Sequence, residues 1–217
     1  MRIHEYQAKK ILSNFGIKVP KGDKAVNPDE AFNLADQLGG KCVIKAQVYS
    51  GGRGKAGGVK LVDTAEEAKN EASKLLGSRL FTEQSGPSGL LVSSVLIEEP
   101  VNIIEEIYIS ILPSPQTETH IAMLSKFGGV NIEELAEKSP EKIKRCQIDT
   151  VYGLMEFQSR NLVYEAGIAV DKRLSVSRIL SQMYDIYSKY DCSLIEINPL
   201  AITESGDLIA ADAKILF

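Results

Sequence analysis

The segment CVIKAQVYSGGRGKAGGVKLV, residues 42–62, contains two apolar runs joined by a glycine-rich loop. Cys42–Ile44 and Val59–Val62 have the apolar, β-branched composition of strands. Between them, Gly51–Gly58 holds five glycines and two cations in eight residues. Glycine lets backbone N–H groups approach phosphate oxygens closely, and Arg and Lys supply positive charge. The segment therefore predicts a β-hairpin whose loop covers a polyphosphate; a mobile hairpin with solvated cations is the alternative.

Lys45 favours the phosphate interpretation, because a lysine inside an apolar strand is costly unless its ammonium meets an anion. The loop matches neither the P-loop spacing nor the dinucleotide-binding motif, since a strand follows it where those motifs have a helix. A phosphate site here would therefore belong to neither of those two classes.

Helix signals lie on both sides of the hairpin. Asn27–Glu30 and Thr64–Glu67 each place a capping residue three positions before a glutamate, which is the capping-box pattern. They predict helices that end at Gly39 and at Gly77. Periodic or polar helical segments are also predicted at Glu5–Phe15, Ile132–Lys138 and Leu174–Tyr190.

Apolar runs in the second half predict antiparallel strands. They are Leu91–Ile97, Ile103–Leu112, Thr119–Leu124, Ser193–Ile197, Leu200–Thr203 and Leu208–Asp212. The first three are expected to form a meander, and Glu204–Asp207 is expected to be the hairpin turn between the last two. The surroundings of Gly153 are expected to be irregular, and the cationic Lys138–Arg145 to be a solvated surface.

Composition narrows the class of protein. The chain has 217 residues, 44% of them apolar, with 29 acidic and 25 basic residues and a net charge of -4. Such a composition is typical of a globular protein and gives no sign of a nucleic-acid partner. The sequence shows neither a membrane-spanning apolar run nor a signal peptide, and Cys42, Cys146 and Cys192 are too scattered for a disulfide framework. We therefore expect reduced thiols and a cytoplasmic location.

Acidic and amide side chains lie in or at the end of several apolar strands: Glu98, Glu106, Glu196, Asn198 and Asp212. Hard divalent cations such as Mg²⁺ take oxygen ligands and usually bridge one or two carboxylates to nucleotide phosphates. Asn198 and Asp212 lie on or next to adjacent predicted strands and are the candidate pair. Taken singly, each carboxylate is more often a strand-edge or solvent-facing residue.

Four segments together identify a resemblance. They are HEYQAK (residues 4–9), KAQV with GGRGKAGG (45–48 and 51–58), GGVNIE (128–133) and LIEINPL (194–200). These segments resemble the beta subunits of succinyl-CoA synthetases, which are ATP-grasp enzymes of the tricarboxylic acid cycle, and the similarity runs from Arg2 to Lys214. The resemblance implies an α+β, ATP-grasp fold in which two α+β subdomains clasp a nucleotide. Residues about 20–101 would form the lid, and about 1–19 with 102–217 the base.

The resemblance also implies the nucleotide contacts. Lys45 and the turn Gly52-Arg53-Gly54 would contact the phosphates of ATP. Glu98 and the backbone of Val101 would hold the adenine, and Glu106 would lie on the ribose side.

The metal site and the partner follow from the same resemblance. Asn198 and Asp212 would be the Mg²⁺ ligands. A histidine of a partner alpha subunit would carry the phosphoryl group between ATP and succinate, and Glu196 would orient that histidine. Neither His4 nor His120 has a Ser or Cys partner at a recognisable spacing, so triad chemistry has little support. Because the partner would supply the histidine, the resemblance implies that this chain needs no catalytic histidine of its own.

The chain departs from the family pattern in three places. Tyr49-Ser50 stands where His-Ala is common, and Phe127 replaces a polar or charged residue. The family also continues into a second, flavodoxin-like domain, whereas this sequence ends at Phe217. We therefore expect the 217 residues alone to be inactive in the complete reaction. A malate-CoA ligase beta subunit and a non-catalytic nucleotide-binding module are the alternatives, and the residues do not distinguish ATP from GTP.

Overall fold

The computed structural model describes residues 1–83 and 85–217, which divide into two compact units. Unit 1 comprises Met1–Val19 and Val101–Phe217, and unit 2 comprises Pro20–Pro100. The helices are α1 (Glu5–Asn14), α2 (Pro28–Gln37), α3 (Ala65–Leu75), α4 (Ile132–Lys138), α5 (Glu156–Glu165) and α6 (Arg173–Lys189). The strands are β1 (Gly22–Ala25), β2 (Cys42–Ala46), β3 (Val59–Val62), β4 (Arg79–Leu80), β5 (Leu90–Leu91), β6 (Val95–Glu98), β7 (Ile103–Ser114), β8 (Thr119–Ser125), β9 (Lys144–Ile148), β10 (Leu194–Thr203), β11 (Leu208–Ala210) and β12 (Ala213–Leu216). In the described part of the chain, no helix combines the length and apolar character needed to cross a membrane.

Unit 2 is an antiparallel sheet packed against two helices. Its strand order is β1-β6-β2-β3, and β2 pairs with β3 in the register Cys42 to Val62, so the predicted hairpin is confirmed. Both predicted helix starts are also confirmed, because the side chains of Asn27 and Thr64 accept hydrogen bonds from the backbone N–H groups three residues on. Buried alanines on α2 and α3 pack with the apolar residues of β2 and β6 in one core.

Unit 1 contains the larger sheet, ordered β11-β10-β7-β8-β9, with β12 also paired to β10. Residues of α1, α5 and α6 share its core with Ile107, Ile109 and Ile111 of β7. Because side chains alternate along a strand, the residues between these isoleucines point to the opposite face of the sheet. The segment Leu174–Tyr190 is confirmed as a helix, with Val176, Leu180 and Met183 in the core.

The predicted meander is wrong in its first strand. The run Leu91–Ile97 does not pair with β7; its second half is β6, which lies in unit 2 between β1 and β2. All four residues of β6 are buried, as expected for a central strand covered on both faces. The sequence predicts the apolar run as a strand but does not predict which strand it pairs with, because pairing depends on segments far away in the chain.

Other boundaries also differ. Ser193–Ile197 and Leu200–Thr203 form one strand, β10, whose register with β7 shifts between Ile197 and Leu200. Asp212 lies between β11 and β12 and not within a strand. Sequence reasoning missed β1, β4, β9, β12 and α5. In α5, exposed Phe157 and Tyr164 obscure the buried stripe, and β9 is polar because it lies at the sheet edge.

Candidate functional site

Asn198 and Asp212 are neighbours in unit 1. The backbone N–H of Asn198 donates a hydrogen bond of 3.2 Å to the carbonyl oxygen of Asp212, next to the β10–β12 pair of Ile197 with Ala213. The structure thus brings together the two residues that the sequence singles out as a metal-ligand pair. Their side chains offer a carboxylate and an amide oxygen, which are the hard donors that Mg²⁺ takes in proteins. The residues present therefore fit that cation.

The Asn198 side chain also holds the loop that precedes α4. Its Oδ1 accepts from the backbone N–H of Gly129 at 2.8 Å, and its Nδ2 donates to the carbonyl oxygen of Val130 at 3.0 Å. These two contacts fix the orientation of the amide, with Oδ1 towards Gly129. Metal binding through Oδ1 would use the remaining lone pair of that oxygen.

Glu106 joins the same group through the glycines of this loop. Gly128 donates its N–H to the carbonyl oxygen of Glu106 at 2.9 Å. Gly129 has φ +69°, a left-handed conformation that glycine adopts most readily, and a Cβ there would meet the Glu106 carboxylate, which would have to move. Glu106, Gly129, Asn198 and Asp212 therefore form one continuous cluster. Both glycines belong to the GGVNIE segment, but the sequence alone assigns them no role.

Glu196 is a partly buried carboxylate on the polar face of β10. It lies opposite Ser110 of β7 and Lys214 of β12. The hydroxyl of Tyr108 donates to its Oε2 at 3.3 Å and is 2.9 Å from Ser110 Oγ. Burial raises the pKa of Glu196, and the Asp212 and Glu133 charges raise it further, whereas Lys214 and the Tyr108 hydrogen bond oppose the shift.

Tyr108 is a site residue that sequence reasoning missed. It is fully buried on β7, and burial raises its pKa, as does the nearby Glu196 charge. The available signal was the alternation of polar side chains, Glu106, Tyr108 and Ser110, within an otherwise apolar strand.

In unit 2, the predicted phosphate ligand and one predicted adenine ligand form an ion pair. Lys45 Nζ lies 2.5 Å from Glu98 Oε1, with side-chain exposures of 11% and 3%. The anion that a lysine in this strand requires is thus supplied by β6. Val101 is partly buried and is the first residue of unit 1 after Pro100.

The glycine-rich loop is anchored by its arginine. Arg53 is buried, and its Nη1 donates to the carbonyl oxygen of Ala46 at 2.9 Å. Gly58 in turn donates its N–H to the carbonyl oxygen of Arg53 at 2.8 Å. Arg53 is therefore not a merely solvated cation, whereas Lys55 remains exposed, 3.8 Å from Glu83. In the Gly52-Arg53-Gly54 turn, the arginine is buried and the two flanking glycines are exposed.

Two of the sequence departures have structural counterparts. The hydroxyl of Ser50 lies 2.5 Å from the hydroxyl of Thr82. This contact links the start of the glycine-rich loop to the segment that contains Thr82. Phe127 lies beneath the ammonium groups of Lys126 and Lys142, at 5.6 and 4.9 Å from the ring centroid. Such cation–π contacts suit an aromatic residue at a partly exposed position.

We expect Lys45→Met to lower the free energy of unfolding by about 3 kcal/mol, because removing one member of a buried ion pair leaves the other charge without its counterion. Urea titration measures this loss. Lys41→Met is the matched control: Lys41 pairs with Asp63 at 3.4 Å on the surface, and such pairs contribute about 0.5 kcal/mol. Equal losses in the two variants would contradict the importance of the buried pair.

Comparison with known proteins places the chain in a family. The ATP-grasp domain model matches residues 2–202. The beta subunit of an ADP-forming succinate–CoA ligase from Geobacter sulfurreducens is 47% identical over all 217 residues. The chain spans 56% of that relative, so it covers little more than half of the curated proteins it matches.

Solved structures share the fold at low sequence identity. A dinucleotide-forming acetyl-coenzyme A synthetase of Candidatus Korarchaeum cryptofilum, in complex with coenzyme A and Ca-AMPCP, has a TM-score of 0.75 and 19% identity, covering 100% of this chain and 93% of that one. Another structure of that enzyme, with Mg-AMPPCP and a phosphohistidine segment pointing towards the nucleotide site, has a TM-score of 0.66 and 20% identity, covering 100% and 92%. With helices and antiparallel sheets in two α+β units and a family match over most of its length, the chain belongs to the ATP-grasp domain family.

Proposed function

We propose that these residues are the nucleotide-binding, phosphoryl-donating part of the beta subunit of an ADP-forming succinate–CoA ligase. The complete reaction would convert succinate, CoA and ATP into succinyl-CoA, ADP and phosphate. The observation that carries the proposal is the cluster of Glu106, Gly129, Asn198 and Asp212, in a chain 47% identical to such a subunit.

The assignment of the nucleotide contacts follows the resemblance to the family. Lys45 and the backbone of Gly52-Arg53-Gly54 are assigned to the phosphates, Glu98 and the Val101 backbone to the adenine, and Glu106 to the ribose. The buried Lys45–Glu98 pair fixes the position of the ammonium within an apolar strand. The assignment of this ammonium to the phosphates comes from the resemblance.

Asn198 and Asp212 would hold Mg²⁺ between them and the phosphates. When bound, the cation would neutralise charge on the transferring phosphoryl group. Asn198 would meanwhile keep its contacts with Gly129 and Val130, so the loop and the metal site would be ordered together.

Glu196 would receive the histidine of an alpha subunit. A partly buried carboxylate with a raised pKa gains from a hydrogen-bond donor, and an imidazole N–H supplies one. The chain's own His120 packs against Tyr187 of α6, with ring centroids 4.8 Å apart, and is not assigned this role. The solved relative whose phosphohistidine segment points towards its nucleotide site has the same fold.

We place the enzyme in the cytoplasm, since Cys42, Cys146 and Cys192, all within the described residues, form no disulfide.

Isothermal titration tests the proposal. We expect the 217-residue chain to bind ATP in the presence of excess Mg²⁺ and to lose most of this affinity in EDTA, because the metal ligands lie within it. The same chain should form no succinyl-CoA when given succinate, CoA and ATP, because the acceptor histidine belongs to another subunit. Absence of any binding heat at millimolar Mg-ATP would contradict the first expectation, and product formation would contradict the second.

A further inference from the structure

A buried ion pair on α1 contacts the main chain directly before Asp212. Lys9 Nζ lies 2.9 Å from Glu5 Oε1, with side-chain exposures of 5% and 2%. The same ammonium donates a hydrogen bond of 2.8 Å to the carbonyl oxygen of Ala211. Glu5 and Lys9 belong to the HEYQAK segment, which the sequence singles out and the proposed function does not use. Through Lys9, this segment contacts a residue 202 positions away.

The peptide between Ala211 and Asp212 lies outside the strand ladders. These two residues form a bend between β11 and β12. They are held from one side by Asn198 and Pro199, since Asn198 donates to the Asp212 carbonyl at 3.2 Å and Ala211 donates to the Pro199 carbonyl at 3.0 Å. Lys9 holds the Ala211 carbonyl, and with it the peptide plane that leads into Asp212.

Stability alone does not account for this pair. Replacing a buried ion pair by apolar residues of similar volume is often neutral or stabilising, and the neighbours Ala8 and Leu12 already anchor α1 in the core. A lone ammonium behind a cation site would weaken metal binding by repulsion. Glu5, one helical turn away, cancels that charge and leaves Lys9 as a neutralised hydrogen-bond donor.

We propose that Lys9, held by Glu5, is a positioning residue for the Asp212 carboxylate in the metal site. The proposal rests on the assignment of Asp212 as a metal ligand in the proposed function. Residues that hold the metal ligands in place, without binding the metal themselves, typically change metal affinity by about 10- to 100-fold when they are mutated.

The test compares ATP affinity in Mg²⁺ with ATP affinity in EDTA for each variant, by isothermal titration on the 217-residue chain. Lys9→Met should reduce the Mg²⁺-dependent gain about tenfold and leave the affinity in EDTA unchanged. Binding of Mn²⁺ in the presence of ATP, followed by its electron paramagnetic resonance signal, should weaken by the same factor. Lys10→Met is the matched control, since Lys10 is the next residue of α1 and is exposed; it should behave as the unchanged chain does.

The outcomes separate the proposal from a structural role. A lower melting temperature of Lys9→Met with an unchanged Mg²⁺-dependent gain would overturn it. If Lys9→Met does not fold, Glu5→Gln with Lys9→Met removes both charges, and the same loss is expected of that double variant. If the unchanged chain binds ATP equally in Mg²⁺ and in EDTA, the metal site itself is refuted, and the proposal with it. If the unchanged chain gains affinity in Mg²⁺ and Lys9→Met gains as much, only the role of Lys9 is refuted.

Discussion

Glu196→Gln is expected to slow phosphoryl transfer to the alpha-subunit histidine about 1,000-fold in the complete two-subunit enzyme. Glutamine keeps the size of the side chain but removes the charge that would orient and stabilise an imidazolium. ATP affinity should stay equal or improve slightly, because a negative charge near the phosphates is lost. The measurement is acid-labile phosphate label on the alpha subunit after mixing with labelled ATP.

The control for this prediction is Glu204→Gln, a change at an exposed residue of the β10–β11 turn, which should label normally. Full labelling by Glu196→Gln would instead show that Glu196 is a structural strand residue.

The folding stability of Glu196→Gln gives a further check on the same variant. Burial raises the pKa of Glu196 above its ordinary value of 4.5, so the folded chain binds this proton more tightly than the unfolded chain does. The stabilising contribution of the protonated form is complete below pH 4.5 and is lost as pH rises through the raised pKa. Glu196→Gln should therefore match or exceed the unchanged chain in stability at pH 7, and the difference should vanish on acidification.

Asp212→Asn is expected to lower Mg²⁺-dependent ATP affinity about 1,000-fold, since a charged metal ligand contributes several kcal/mol. Melting temperature should hardly change, because Asp212 lies in a bend outside the strands and the backbone contacts of the bend remain. Titration with ATP in Mg²⁺ and in EDTA measures the effect.

Asp207→Asn is the matched control for this prediction, because Asp207 is on the adjacent turn and pairs with Lys18 at 2.6 Å on the surface. It should bind Mg-ATP normally. Unchanged affinity in Asp212→Asn would show that other residues bind the metal.

The candidate site was predictable from the sequence only in part. The residues with unusual chemistry for their strands, Lys45, Glu196, Asn198 and Asp212, stand out among apolar neighbours. Tyr108 and Lys9 do not, because a tyrosine in a strand and a lysine in a helix are ordinary. Their importance comes from contacts with Glu196 and Ala211, which lie 88 and 202 positions away.

Local features and the family could be predicted from the sequence alone. The hairpin of residues 42–62 and the helix starts at Asn27 and Thr64 are specified by side chains within a few positions of one another, so short-range sterics and capping bonds are sufficient. The family followed from four short segments that resemble a known pattern.

The pairing of the strands and the contacts between distant side chains became known only from the folded structure. It placed β6 in unit 2 and extended β10 past Pro199. It also brought the peptide before Asp212 onto Lys9. These arrangements depend on burying apolar faces and satisfying polar groups between segments far apart in the chain, and no local pattern encodes which distant segment supplies the partner.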